Sequence, residues 1–169
     1  MTALDLPDDV SAVMRSFFTA EITTVNRAGQ PITWPAATYF DEEAGIVVCA
    51  VSIAFPVKAH NARRNPKVSL LYSDSTGSGL EGAPTVLVQG TAEVAEVLEY
   101  TPDIIGLFAN VARNQPDSAK FSSSRIARRL FSWYLFQRIA IRVRPDRVLA
   151  WPGDDVAAEP RIWKAADGR

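Results

Sequence analysis

The segment PVKAHNARRNPKVSLLYSD, residues 56–74, concentrates groups able to hold an anion. It carries Lys58, the single histidine His60, the amide Asn61, and the pair Arg63 and Arg64. Pro56 suits the first position of a helix, and the Asn65-Pro66 step ends one, because proline disfavours helical geometry in the residue before it. Lys58 then falls in the first turn. A cation there opposes the helix dipole by about 0.3–1 kcal/mol on an exposed helix. A phosphate at that helix start would remove the conflict, since free amide N–H groups and a lysine together make an anion site. A solvated lysine on a helix surface is the competing reading, and spacing alone leaves both open. The same is true of Arg63 and Arg64, which suit either a phosphate or plain solvation.

Other chemistries find less support. A Ser-His-Asp set would have to use His60, and nothing else in the sequence points to one. No metal-ligand spacing occurs, so no metal site is expected. The one cysteine, Cys49, excludes an intramolecular disulfide and reads as a small buried hydrophobe within the apolar run GIVVCAV. No protein acid or base stands out, so the catalytic residues are unknown at this level.

The composition bounds the rest. Of 169 residues, 47% are hydrophobic and 22% charged, enough for a real core in one domain spanning 1–169. The net charge of -1 gives no global attraction to nucleic acid or membrane. The charge is uneven, however. Residues 1–100 hold six Lys/Arg against twelve Asp/Glu, and residues 101–169 hold twelve against seven. Arg125, Arg128, Arg129, Arg138, Arg142, Arg144 and Arg147 make up most of that bias. No nucleic-acid motif accompanies them, and arginines covering helix and strand faces are the expectation. The start MTALDLPDD lacks the order of a signal peptide, and no apolar run reaches the ~20 residues of a membrane span. A cytoplasmic protein is expected.

The elements that must position these residues follow from periodicity. Residues 10–18 read as a short helix with Val10, Val13, Met14 and Phe17 on one side. Strands are expected over 19–26, 31–40, 46–51, 67–73 and 85–94. Gly29 lies in a turn that suits positive φ, and Pro35 predicts an edge or a bulge in the second strand. The continuous apolar run at 46–51 suits a strand covered on both faces. Gly90 in mid-strand predicts a bulge or a close approach of another group. Thr101-Pro102-Asp103 starts a helix, and a longer helix is expected over 122–135. Two further strands, 138–144 and 147–151, are expected around a turn at Pro145-Asp146. The sum is a mainly β (α+β) chain, a six- to seven-stranded antiparallel barrel with helical insertions.

The order of these elements resembles a known family, the FMN-binding split β-barrel proteins related to pyridoxamine 5′-phosphate oxidase. The likeness is densest at GIVVCAVSIAFPVKAHNARRNPKVSLLYSD and VLVQGTAEV. It implies a flavoprotein oxidoreductase that binds FMN, or the deazaflavin coenzyme F-420, and acts on a small-molecule substrate. It also implies a homodimer whose cofactor sites lie at the subunit interface. By the same resemblance, Lys58 matches the lysine that contacts the cofactor phosphate, with Asn61 on the same helix. Thr33, Trp34, Pro35 and Ala36 match one flavin-lining run, and Cys49 and Ala50 another. Thr85 falls near a ring-contacting position, and Trp151 and Arg161 match C-terminal contributors. Thr33 stands where the oxidases place an arginine, and their C-terminal Arg-x-His-Asp-Arg pattern is missing. Pyridoxamine phosphate oxidation is therefore not expected. A haem-handling branch of the family makes His60 an alternative haem ligand. A carrier or sensor, or a barrel with a decayed site, are the non-enzyme alternatives.

Overall fold

The computed structural model describes residues 4–96, 101–114, 138–153 and 155–165. Alternating burial marks the strands. In β1 (Thr19–Val25) Ala20, Ile22 and Thr24 point inward while their neighbours face out. The turn at 27–30 has Gly29 at φ 80° and returns the chain into β2 (Pro31–Asp41). β3 (Ile46–Ser52) is buried on both sides, as its continuous apolar run requires. Val47, Cys49 and Val51 enter the barrel core, while Val48 packs outside it. β4 (Lys67–Tyr72) and β5 (Thr85–Val94) alternate again.

The strands pair antiparallel in the order β3-β2-β1-β4-β5-β6-β7, and β3 also pairs with β6. With β6 (Arg138–Trp151), strands β1 to β6 thus close a six-stranded barrel, and β7 (Arg161–Lys164) adds to it from outside. Helix α1 (Asp8–Ser16) buries Val10, Val13 and Met14 in the barrel core. Helix α2 (Val57–Arg64) contributes Ala59 and Ala62 to the same core. Helix α3 (Pro102–Asn114) lies outside, with Ile104 against Val48 and Ala140. These are the three helices of the described residues.

Two expectations change. The turn at Pro145-Asp146 is absent, and β6 (Arg138–Trp151) is one strand of 14 residues. Gln89 pairs with Arg147 and Gly90 with Pro145, so Asp146 is the extra residue of a bulge. The bulge accommodates the proline inside the strand. Gly90 is required opposite it, because a Cβ there would run into the Arg144 carbonyl and the Val143 side chain. Pro56 is the second change, standing one residue before α2. Strand β7 was not anticipated, and the helix expected over 122–135 lies outside the described residues.

Candidate functional site

The barrel wall has an opening between β2 and β3. β2 pairs with β1 over Pro31–Ala37, but with β3 only over Thr38–Asp41. Beyond Thr38 and Cys49 the two strands part, and β3 continues with β6 as its neighbour. The first seven residues of β2 therefore have one open edge. Pro35 stands on it, as its missing N–H demands.

Lys58 fills part of that opening. It is half-buried, and its Nζ donates to the Pro35 carbonyl at 3.3 Å. It makes no ion pair with any described residue. A half-buried ammonium with one neutral acceptor is poorly compensated. Burial accordingly lowers its pKa from the usual lysine value, with the nearby Cys49 thiol acting in the opposite sense. The start of α2 adds to the positive character. Pro56 supplies no side-chain cap and no acid occupies the first turn. His60 donates the first main-chain bond into the helix, to Pro56 at 3.0 Å, and the N–H groups before it lack an intrahelical acceptor. Three large apolar side chains close to these residues in sequence are exposed: Trp34, Phe55 and Val57.

The other candidates are scattered. Thr33 is exposed and shares a hydroxyl hydrogen bond of 2.8 Å with Thr23. Ala36 and Cys49 face the barrel core. Burial pushes the Cys49 thiol up to about 12, against the pull of Lys58, so it is no nucleophile at neutral pH. Ala50 packs beneath α3 with the outer cluster. Asn61 is buried and committed within the chain. Its amide donates to the Thr24 hydroxyl at 3.1 Å and accepts from Arg64 at 2.6 Å. It holds α2 to β1.

Thr85 and Trp151 form a separate group, paired with each other at the far end of β5 and β6. The Thr85 hydroxyl donates to the Gly153 carbonyl at 3.1 Å. From Pro35 the sheet runs through Glu21, Leu71 and Leu87 to Leu149, two residues from Trp151. By that route β6 is four strands from β2, and by way of β3 it is two. Arg161 lies on β7, ion-paired with Asp9 of α1 at 2.5 Å and placed over the Trp163 ring. Its hydrogen bond lowers the Asp9 pKa.

His60 is exposed on α2. No group of metal-ligating side chains is found among the described residues. A cleft of about 340 Å³ lies elsewhere, against Thr91, Glu93, Arg142, Arg144 and Asp146. Much of its polarity is already used. Asp146 accepts from Lys67 at 3.1 Å and from Thr91 at 2.9 Å, and Arg142 bridges to Asp103 at 2.5 Å. Lys58, by contrast, has no described ion-pair partner, and we take the opening beside it as the candidate site. The sequence reading named Trp34 but not the exposed Phe55 and Val57. Both are legible in the sequence only as neighbours of Pro56.

A six-stranded closed barrel with a lysine-bearing helix at an open strand edge can be compared with known structures. It aligns with a protein related to general stress protein 26, of the pyridoxinephosphate oxidase family, from Clostridium acetobutylicum. The TM-score is 0.56 at 10% identity, over 91% of this chain and 90% of that one. The chain has the pyridoxamine phosphate oxidase-like split-barrel fold. An F420 reductase shares it, with TM-score 0.57 and 17% identity over 85% of this chain and 98% of that one. So does a heme binding protein from Mycobacterium smegmatis, with TM-score 0.58 and 14% identity, over 94% of this chain and 59% of that one. No sequence-family model and no curated protein sequence matches the chain. No helix among the described residues is long and apolar enough to cross a membrane.

Proposed function

We propose that the protein is an oxidoreductase that binds FMN or a deazaflavin coenzyme at the β2–β3 opening, with Lys58 as the phosphate anchor. The observation that carries this reading is the half-buried Lys58 ammonium, whose single partner is the Pro35 carbonyl. A phosphate would supply the missing counter-charge and also meet the uncapped start of α2. Trp34, Phe55 and Val57 offer apolar surface for a planar ring. When bound, such a coenzyme supplies hydride or electron-pair exchange at its ring. The chain supplies the anchor, the apolar slot and access for a small substrate.

The proposal includes a homodimer and a single functional domain over residues 1–169. A second copy would dock on the outer sheet face. That face carries Leu71, Leu87 and Leu149 in one row, paired strand to strand.

The test is the visible absorption spectrum of the purified protein, followed by titration with FMN, F-420 and haemin. A flavin or deazaflavin band, or saturable binding of either, supports the reading. Binding of haemin alone, lost in His60→Ala, replaces it with a haem-binding function. A colourless protein that binds none of the three removes the oxidoreductase reading and leaves the barrel.

A further inference from the structure

Two side chains in the barrel interior carry polar atoms that the chain itself does not serve. Thr38 and Tyr72 are both 0% exposed. The Thr38 Oγ1 and the Tyr72 phenol oxygen are closed to solvent, and neither has a hydrogen-bond partner. Buried hydroxyls almost always have one, from protein or from an ordered water.

The two residues are neighbours across small side chains. Tyr72 follows Leu71, which pairs with Glu21 of β1. Ala20 precedes Glu21, faces the core and pairs with Ala36 of β2. Thr38 lies two residues beyond Ala36, on the same inward face of β2. Burial raises the Tyr72 pKa, and the Thr38 hydroxyl is near enough to act against it. Thr38 and Cys49 are also the last pair before β2 and β3 part, so the cluster sits at the inner end of the opening.

The chemistry of the cluster selects its occupant. Each hydroxyl has one donor hydrogen and two acceptor lone pairs. If one donates to the other, the second O–H still lacks an acceptor. The Cys49 sulfur, which also acts on Tyr72, is only a weak one. A water molecule accepts from both O–H groups at once. With both oxygens closed to solvent, a larger solute does not reach them. Interior waters elsewhere serve such otherwise unsatisfied buried groups.

We propose that Thr38 and Tyr72 together bind one water molecule inside the barrel, as a fixed part of the fold at the root of the β2–β3 opening. The water accepts both hydroxyl hydrogens. The site depends on no coenzyme, so it stands or falls separately from the oxidoreductase reading.

The first experiment is a crystal structure of the full chain at a resolution that shows ordered waters. Density for one water at about 2.8 Å from both hydroxyl oxygens is expected. A dry site, or a direct Thr38–Tyr72 contact without water, overturns the proposal. The second experiment compares melting temperatures of Tyr72→Phe, Thr38→Val and the double variant, all close in shape to the parent. Each single variant should melt about 2–4 °C lower, because it strips the water of a partner. The double variant should lose less than the sum, because the water is then dispensable. A rise in melting temperature for Tyr72→Phe overturns the proposal, since the parent hydroxyl would then be unsatisfied. Additive losses overturn it as well, since the two hydroxyls would then share nothing.

Discussion

Replacing Lys58 with methionine tests the candidate site most directly. The substitution keeps the aliphatic stem in the opening and removes the charge. Two magnitudes compete. An exposed ion pair is worth about 0–1 kcal/mol, at most roughly fivefold in affinity. A hydrogen bond to a charged group, partly shielded from water, is worth about 1.5–3 kcal/mol, or roughly 10–150-fold. The half-burial of Lys58 and its lack of an ion pair put it in the second class. Fluorescence titration with FMN or F-420 should therefore show at least a tenfold weakening in Lys58→Met. Lys67→Met, which removes an exposed cation already paired with Asp146, should bind as the parent does. The fold should not suffer, because Pro35 is exposed and water can replace the lost donor. The pH dependence has a definite sign. A lysine whose folded pKa lies below its unfolded value binds fewer protons folded than unfolded between those two values. The parent should gain stability relative to Lys58→Met as pH rises through that window, up to the unfolded pKa. Equal coenzyme affinity in parent and Lys58→Met would refute the assignment of the anchor.

Three further outcomes follow from the same structure. Cys49 should resist a thiol reagent at pH 8 in the native protein and react fully in denaturant, since it is buried and its pKa is pushed up to about 12. Burial alone would raise the Asp103 pKa, but hydrogen bonds from Arg142 and Thr101 outweigh it and hold the carboxyl below its ordinary value. Its contribution is present above the unfolded carboxylate pKa and lost as pH falls through the folded one, so Asp103→Asn should flatten the acid limb of a melting-temperature profile. Gly90→Ala should lower stability by about 1–3 kcal/mol in urea denaturation, because its Cβ would press on the Arg144 carbonyl opposite the bulge.

The features legible in the sequence were those set by local pattern. β1, β4 and β5 alternate because one face of each meets the core, and the run at β3 is continuous because α3 covers its outer side. Pro35 and Gly90 announced an edge and a bulge, since each residue type tolerates few other settings in a sheet. Pro145-Asp146 misled for the same local reason. The dipeptide is a turn signal, and here the bulge opposite Gly90 absorbs it inside a strand. Strand β7, four residues long, is held by pairing with β6 and by the Arg161–Asp9 bridge, neither visible in its own composition. Lys58 could be singled out from its place in a helix. Its partner could not, because Pro35 lies 23 residues earlier and meets it only where two strands part.

The parting of the strands leaves one edge of the barrel wall without a strand neighbour among the described residues. β2 is bordered by β3 along only its last four residues, and β6 exchanges β3 for β7 along its length. On β6 the new neighbour β7 takes up the edge. On β2 no strand does so, and main-chain groups such as the Pro35 carbonyl turn to side chains or to a ligand. The core that closes the barrel is apolar and indifferent to what lies at that edge. Structures sharing this barrel at 10–17% identity include an F420 reductase and a heme binding protein, so the barrel cannot itself decide the ligand. On the proposed reading, that choice falls to residues near the open edge, among them Lys58, Thr33 and the exposed Trp34 and Phe55. If Lys58→Met and Trp34→Ala each weaken one coenzyme and leave the melting temperature unchanged, binding specificity and fold stability occupy separate residues in this chain. If Trp34→Ala instead lowers stability as much as affinity, the rim is part of the core, and the opening is packing rather than a site.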